Sequence, residues 1–198
     1  MTAPLAKPTL TLREALREST RPRHEALDSA LMPPGHGWTH ARYRRFLRGT
    51  LAVMQDAESA IAATLPAFVE TGATMRTERL RRDLRGLDDD DAVVTAVPIT
   101  ADLRNHGAAF GAAYVLEGSM LGGQHVAQAV IHDLALDDSG LTYLRPSGVA
   151  IGPRWKAFVA ALDAFGSTAP AADWGAAEEA AAATFAAFAQ AFRREGLI

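Results

Sequence analysis

The stretch YVLEGSMLGGQH, residues 114–125, decides the fold of this chain. Three glycines lie inside a segment that otherwise predicts a long helix, and each costs about 1 kcal/mol relative to alanine. At about 100° per residue, one helix face carries Gly107, Gly111, Gly118 and Gly122. A helix with such a face either packs closely against another helix or lets a ligand approach its backbone.

The composition is that of one globular domain in a cell compartment without disulfides. The chain has 198 residues, of which 48% are hydrophobic and 22% charged, with a net charge of -3. This charge argues against a nucleic-acid binder. The absence of cysteine excludes zinc fingers, iron–sulfur ligation and thiol catalysis. Neither a signal peptide nor an apolar run of membrane-spanning length is evident, so we expect a cytoplasmic protein that does not enter a membrane.

The apolar periodicity predicts an all-α protein with a single domain. Residues 1–9 are predicted to form a flexible tail, and residues 10–198 one helical domain of six to eight helices. Pro22 predicts a kink in the first helix, and Thr39 is the predicted N-cap of the second. The predicted helices cover about residues 10–31, 40–65, 75–87, 102–134, 153–165 and 172–194. No alternation with a period of two persists long enough to predict a sheet.

His24 is the histidine with the most informative surroundings. Leu27 and Leu31 lie on its helix face, and Arg17 lies seven residues before it. An imidazole beside an apolar stripe suits a metalloporphyrin, because the ring nitrogen binds iron and the stripe covers the macrocycle. Arg17 would then reach an acidic group at the porphyrin edge. Taken alone, however, this segment favours a histidine at the surface or at the margin of the core.

The other histidines and the motif search give weaker indications. His36 and His40 are four residues apart, but the predicted N-cap Thr39 lies between them and no carboxylate ligand is near, which makes a poor metal pair. His125 and His132 share the glycine face and are either ligands or residues of the core or an interface. No Glu-x-x-His pair, G-x-S-x-G motif or phosphate-binding glycine loop occurs.

Two strings together resemble the heme oxygenases, in particular the bacterial ones, including those found beside bacteriophytochromes. They are STRPRHEALD, residues 19–28, and YVLEGSMLGGQ, residues 114–124. The resemblance extends over about residues 10–195. It implies an all-α fold in which heme is sandwiched between a proximal and a distal helix. It also implies an enzyme that uses O2 and reducing equivalents to open heme to biliverdin, CO and ferrous iron.

The resemblance also implies a role for each matching residue. His24 matches the proximal ligand of the heme iron, which makes it the metal-binding residue. The distal, catalytic positions are Gly118, Ser119, Gly122 and Gly123. The residues that match the family's contacts to the heme propionates are Arg17, Tyr114 and Lys156. Ser119 stands where animal heme oxygenases have an aspartate that organises the distal water, so the groups that order water in this chain are left open.

An external electron donor is implied, because the chain carries no flavin or nicotinamide motif. The expected donor is a ferredoxin, a flavodoxin or a reductase, and a bacteriophytochrome is a candidate acceptor of biliverdin. Two groups of arginines either dock an acidic donor or are solvated helix faces: Arg42, Arg44, Arg45 and Arg48, and Arg79, Arg81, Arg82 and Arg85. Two alternatives are a protein of this fold that carries heme without degrading it, and a helical protein that binds another small ligand.

Overall fold

The computed structural model describes residues 10–68, 75–89, 93–136 and 140–198. The predicted tail, residues 1–9, lies outside these ranges. The described residues form six α-helices and a short 3-10 helix at Pro66–Phe68, with no strand among them. The α-helices are α1 (Leu12–Leu31), α2 (His40–Thr64), α3 (Arg76–Gly86), α4 (His106–Leu134), α5 (Ile151–Thr168) and α6 (Ala171–Arg194). The prediction of an all-α fold is confirmed.

Local sequence signals set the starts of the first two helices. Thr11 caps α1 in a capping box with Glu14, and the Thr39 side chain accepts a hydrogen bond from the backbone N–H of Arg42 at the start of α2. The helix α1 continues through Pro22 and ends at Leu31. The predicted cap at Thr39 is confirmed.

The glycine-bearing helix α4 begins later than the sequence predicts. Asn105 caps it, and its side chain accepts a hydrogen bond from the backbone N–H of Ala108 at 2.9 Å. Asp102, the predicted start, instead accepts hydrogen bonds from the backbone and side chain of Arg104 in the preceding turn. Asp102 thus closes a separate turn ahead of the helix, whereas Asn105 is the residue that caps it, so α4 starts at His106.

The alanine-rich helix α6 packs closely along α4, and this pair forms the most extensive helix contact in the fold. Ala177, Ala180 and Ala181 are fully buried. Small side chains on both helices let the two backbones approach, which is how a helix so poor in large side chains contributes to the core.

The remaining helices form a frame around α4 and α6. α1 packs on α5 and α6, while α2 packs on α3, α4 and α6. Contact between α1 and α4 is slight within the described ranges, because a cavity separates them. Among the helices of the described residues, none is both long enough and apolar enough to cross a membrane.

Candidate active site between α1 and α4

A cavity of about 560 Å³ separates α1 from α4. Its size lies in the range of about 300–1,000 Å³ that is typical of small-molecule sites. α1 forms one wall, the second half of α4 forms the other, and aromatic residues of α2 and α6 close the interior end. These aromatic residues are Phe46, Phe185, Phe188 and Phe192. The cavity therefore has an apolar interior and an opening that faces solvent.

His24 lies on the α1 wall. Its side chain is 60% exposed, and its Nδ1 lies 3.1 Å from Oδ2 of Asp28 one turn later. The imidazole also makes an edge contact with the ring of Phe185, with 5.8 Å between centroids. A carboxylate on Nδ1 fixes the orientation and tautomer of a ligating histidine. The nitrogen available to a ligand is consequently Nε2.

The opposite wall is the backbone of α4 around Gly118 and Gly122. A Cβ built at Gly122 would meet no heavy atom within 4 Å, and one built at Gly118 would meet only the Trp155 ring, at 3.9 Å. Gly123 is tighter, since its Cβ would lie 3.3 Å from Cδ2 of Leu144. Neither Gly118 nor Gly122 is needed for packing among the described residues. Their lack of a side chain leaves a flat backbone surface facing the cavity.

Gly107 and Gly111, in the first half of α4, lack side chains for a different reason. A Cβ at Gly107 would clash with the carbonyl oxygen of Asp173, and a Cβ at Gly111 with that of Ala177. Both glycines let α6 approach α4. Both of the alternatives that the sequence left open therefore apply, because helix packing accounts for Gly107 and Gly111 and the cavity for Gly118 and Gly122.

Basic and phenolic groups meet at one edge of the cavity. Arg17, Arg21 and Tyr114 all line it. Burial raises the pKa of Tyr114, and the positive charges of Arg17 and Arg13 act in the opposite direction. Such a cluster suits a carboxylate. Sequence reasoning identified Arg17 and Tyr114 but assigned no role to Arg13 or Arg21.

Lys156 does not join this edge cluster. It is exposed on α5, and the cavity is lined there by the preceding residue, Trp155. The Trp155 ring packs against Tyr114, with 5.8 Å between centroids. The structure thus places an indole at the position where the sequence suggested an ammonium group.

A buried ionic cluster lies behind the α4 wall. Glu117 directly precedes Gly118, and its carboxylate receives hydrogen bonds from Arg76 and from Arg154, the latter at 2.7 Å through both Nε and Nη2. Burial raises the pKa of Glu117, but the hydrogen bonds and charges of the two arginines outweigh it, so the pKa lies below its ordinary value. The cluster ties α3 and α5 to the helix turn that carries Gly118.

Sequence reasoning missed this cluster, although Glu117 lies inside the deciding motif. A glutamate within a helix usually indicates a solvated position, and only the tertiary fold brings Arg76 and Arg154 to it. Glu58, also buried, accepts hydrogen bonds from the backbone N–H groups of Arg76 and Thr77 and so fixes the start of α3. These polar groups were not detectable from spacing along the chain.

The remaining histidines form no metal site in the parts of the chain that the structure describes. No group of three or more potential ligands is found there. His125 lines the cavity on α4, across from α1, whereas His132 lies beyond the cavity and approaches Asp133 at 2.8 Å. His36 is exposed in the loop before α2. His24 and His125 are the histidines that line the cavity.

The arginines of α2 make contacts within the protein. Arg42, Arg44 and Arg45 donate to the backbone carbonyls of Leu31, Leu87 and Gly196, respectively. Arg48 pairs with Glu195 at 2.9 Å and with Asp89 at 3.4 Å. These contacts favour a structural role for the α2 arginines over a surface that docks an electron donor.

Comparison with known proteins agrees with this site. The heme oxygenase family model matches residues 10–194. The fold resembles that of the NO- and CO-bound heme oxygenase from Neisseria meningitidis, with a TM-score of 0.74 and 22% sequence identity over 96% of this chain and 94% of that chain. Among curated proteins, none shows significant sequence similarity to the present chain. Since the family model spans the helices that form both walls of the cavity, the chain belongs to the heme oxygenase family, whose members are oxidoreductases that act on heme.

Proposed function

We propose that the cavity between α1 and α4 binds heme and opens it to biliverdin, CO and ferrous iron, with O2 and external reducing equivalents as co-substrates. One observation carries the proposal: an imidazole and a Cβ-free backbone surface face each other across a single cavity. The imidazole is that of His24, and the surface is that of Gly118 and Gly122. A flat, iron-bearing ligand uses both features.

His24 is the proposed iron ligand. Its Nδ1 is engaged by Asp28, so Nε2 is presented to the cavity in a fixed orientation. A thiolate ligand donates electron density strongly and thereby favours cleavage of the O–O bond. A neutral imidazole lacks this strong donation. An imidazole ligand therefore suits an enzyme that directs activated oxygen at the porphyrin ring of its own substrate.

The glycines of α4 set the approach of the ring to the distal helix. With only hydrogen atoms at Gly118 and Gly122, the helix backbone would lie close to a ring held by His24 and leave a narrow space above it. Such a space would restrict where dioxygen reaches the ring and would favour attack on a meso carbon. A side chain at either position would occupy the same space.

The edge cluster is the proposed propionate site. Arg17 supplies a guanidinium that pairs with a carboxylate, and Tyr114 supplies a hydroxyl beside it. Together they would fix the rotation of heme in the cavity and thereby the meso carbon that is attacked. A contact from Lys156 stays a prediction, and its exposed position outside the cavity lining does not support it.

Electrons must reach this site from another protein, because the chain has no flavin or nicotinamide motif. A ferredoxin, flavodoxin or reductase is the proposed donor, and a bacteriophytochrome is the proposed acceptor of biliverdin. The α2 arginines are engaged internally, so the donor is expected to approach the open edge of the cavity, where Arg13, Arg17 and Arg21 are exposed.

The second candidate is a protein that binds or carries heme without degrading it. Ser119 favours this candidate, because a serine hydroxyl cannot supply the charge of the aspartate found in animal relatives. Turnover of heme distinguishes the oxygenase from the non-degrading heme binder. Heme complex incubated with O2 and either ascorbate or reduced ferredoxin should yield biliverdin by chromatography, and a hemoglobin trap should detect CO. Heme that stays intact after many minutes would contradict the oxygenase proposal, with His24→Ala as the inactive control.

A further inference from the structure

His125 is an imidazole on the α4 wall to which the proposed function gives no role. It lines the cavity, and it makes no hydrogen bond, ion pair or ring contact in the described parts of the chain. His24 on the opposite wall is held by Asp28, whereas His125 is held by no partner among those residues. A polar side chain that lines a cavity without a protein partner is available to a ligand of that cavity.

His125 stands on the same face of α4 as the two cavity glycines. It follows Gly118 by seven residues, which is within about 20° of two full turns. It follows Gly122 by three residues, a spacing that leaves about 5–6 Å between Cβ positions. Because helical side chains lean over the turn that precedes them, the imidazole is expected above the bare backbone at Gly122. A Cβ at Gly122 would meet no heavy atom within 4 Å, so that space is open.

The two walls of the cavity place His125 near the level of His24. α1 and α4 run in the same direction, since the edge cluster joins their first halves and the loop after α1 is hydrogen-bonded to the last turn of α4 at 2.7 Å. At 1.5 Å per residue, His24 lies about 10 Å beyond Arg17, and His125 lies about 16 Å beyond Tyr114. The backward lean of a helical side chain shortens this offset of about 6 Å. The imidazole therefore reaches toward the space across from His24.

The other polar side chains of α4 that line the cavity are engaged elsewhere. Tyr114 belongs to the edge cluster. The Ser119 hydroxyl donates to the backbone carbonyl of Leu116 at 2.8 Å, within its own helix. An imidazole keeps at least one N–H donor in either protonation state. Along the α4 wall, His125 is thus the side chain whose N–H is free to donate into the cavity.

We propose that His125 is the hydrogen-bond donor of the distal face, and that its N–H donates to a small ligand held between the heme ring and α4. The proposal rests on the heme site described above. It supplies the donor that Ser119, whose proton is engaged by Leu116, does not supply. Such a donor favours ligands that carry negative charge, because hydrogen bonds to charged acceptors are stronger than those to neutral ones.

Fluoride binding to the ferric heme complex tests this donor without turnover, because fluoride is a charged acceptor of hydrogen bonds. We expect His125→Leu to weaken fluoride binding by about two- to ten-fold, the range for loss of one net hydrogen bond. His125→Gln keeps an N–H donor on a side chain of similar reach and should bind fluoride within about two-fold of the wild type. CO binding to the ferrous complex should be unchanged in both variants, because CO is a poor hydrogen-bond acceptor.

His132→Leu is the matched control. It removes an imidazole from the same helix, but this one lies beyond the cavity, is 86% exposed and approaches Asp133 at 2.8 Å. Fluoride affinity should be unchanged in this variant. His125 and His132 are both exposed on α4, so their replacement leaves the core intact, and thermal unfolding confirms that each variant is folded.

The outcomes distinguish the failure of this proposal from the failure of the heme site. A His125→Leu variant that binds heme, and binds fluoride within two-fold of the wild type, would overturn the donor and leave the heme site intact. Equal losses in His125→Leu and His125→Gln would also overturn it, since the N–H would then not be the cause. A low-spin ferric spectrum of two histidine ligands that His125→Leu abolishes would show that His125 binds the iron itself, which contradicts the donor. A wild-type protein that binds no heme would overturn the heme site, and the donor with it.

Discussion

The replacement of Gly122 by alanine should make the ligand-free protein more stable and heme binding weaker. Gly122 lies within α4, and a Cβ there would meet no heavy atom within 4 Å. Without heme, alanine gains helix propensity of about 1 kcal/mol. For a domain of this size that gain raises the Tm by about 2–4 °C.

The same methyl group projects into the cavity, where the ring of heme would lie. An extra methyl in a filled site costs about 1–3 kcal/mol, which corresponds to about 5- to 150-fold weaker heme binding. Gly111→Ala is the matched control, because its Cβ would overlap the Ala177 carbonyl oxygen. That variant should lower the Tm of the ligand-free protein despite the same gain in propensity.

Two assays on each variant decide the matter. Thermal unfolding of the heme-free protein gives the change in Tm, and a titration followed at the Soret band gives the heme dissociation constant. A lower Tm for Gly122→Ala would show that this glycine serves packing. A higher Tm with unchanged heme affinity would show that heme does not approach this part of α4. Either result would refute the assignment of Gly107 and Gly111 to helix packing and of Gly118 and Gly122 to the cavity.

Three further predictions concern the groups around the cavity. Glu117→Gln should destabilise the protein by about 3–5 kcal/mol at neutral pH, because the buried Arg76 and the half-buried Arg154 lose their counter-charge. Since the pKa of Glu117 is lowered, this contribution is present above the ordinary value of 4.5 and is lost as the pH falls through the folded-state value. Urea unfolding should therefore show the stabilities of wild type and variant converging in acid. Asp28→Ala should leave heme bound through His24 but weaken the complex by about 10-fold, as measured by heme transfer to apomyoglobin, and unchanged retention would contradict the orienting role. Arg17→Ala should broaden the mixture of biliverdin isomers seen by chromatography, whereas a single unchanged isomer would remove this residue from the propionate site.

The helical frame of this fold was largely predictable because its signals are local. Thr39 precedes an apolar helix pattern, and a side-chain cap needs nothing more distant than the next turn. The start of α4 was misplaced for a similarly local reason, since Asp102 and Asn105 are both good caps. In the structure Asp102 bonds to Arg104 in a separate turn, and Asn105 caps the helix.

The site was predictable only in part. Periodicity placed Gly107 and Gly122 on one face, but only the position of α6 decides that the first serves packing and the second faces a cavity. The hydrogen bonds of Glu117 with Arg76 and with Arg154 join segments far apart in the chain. Single-sequence spacing carries no information on such contacts.

A crystal structure of the ferric heme complex would test the central claim most directly. The claim is that heme lies between His24 on α1 and the backbone of Gly118 and Gly122 on α4. We expect iron bound by Nε2 of His24, with Nδ1 still engaged by Asp28 and the ring in contact with the α4 backbone. Iron bound instead by His125, or heme outside this cavity, would contradict the account.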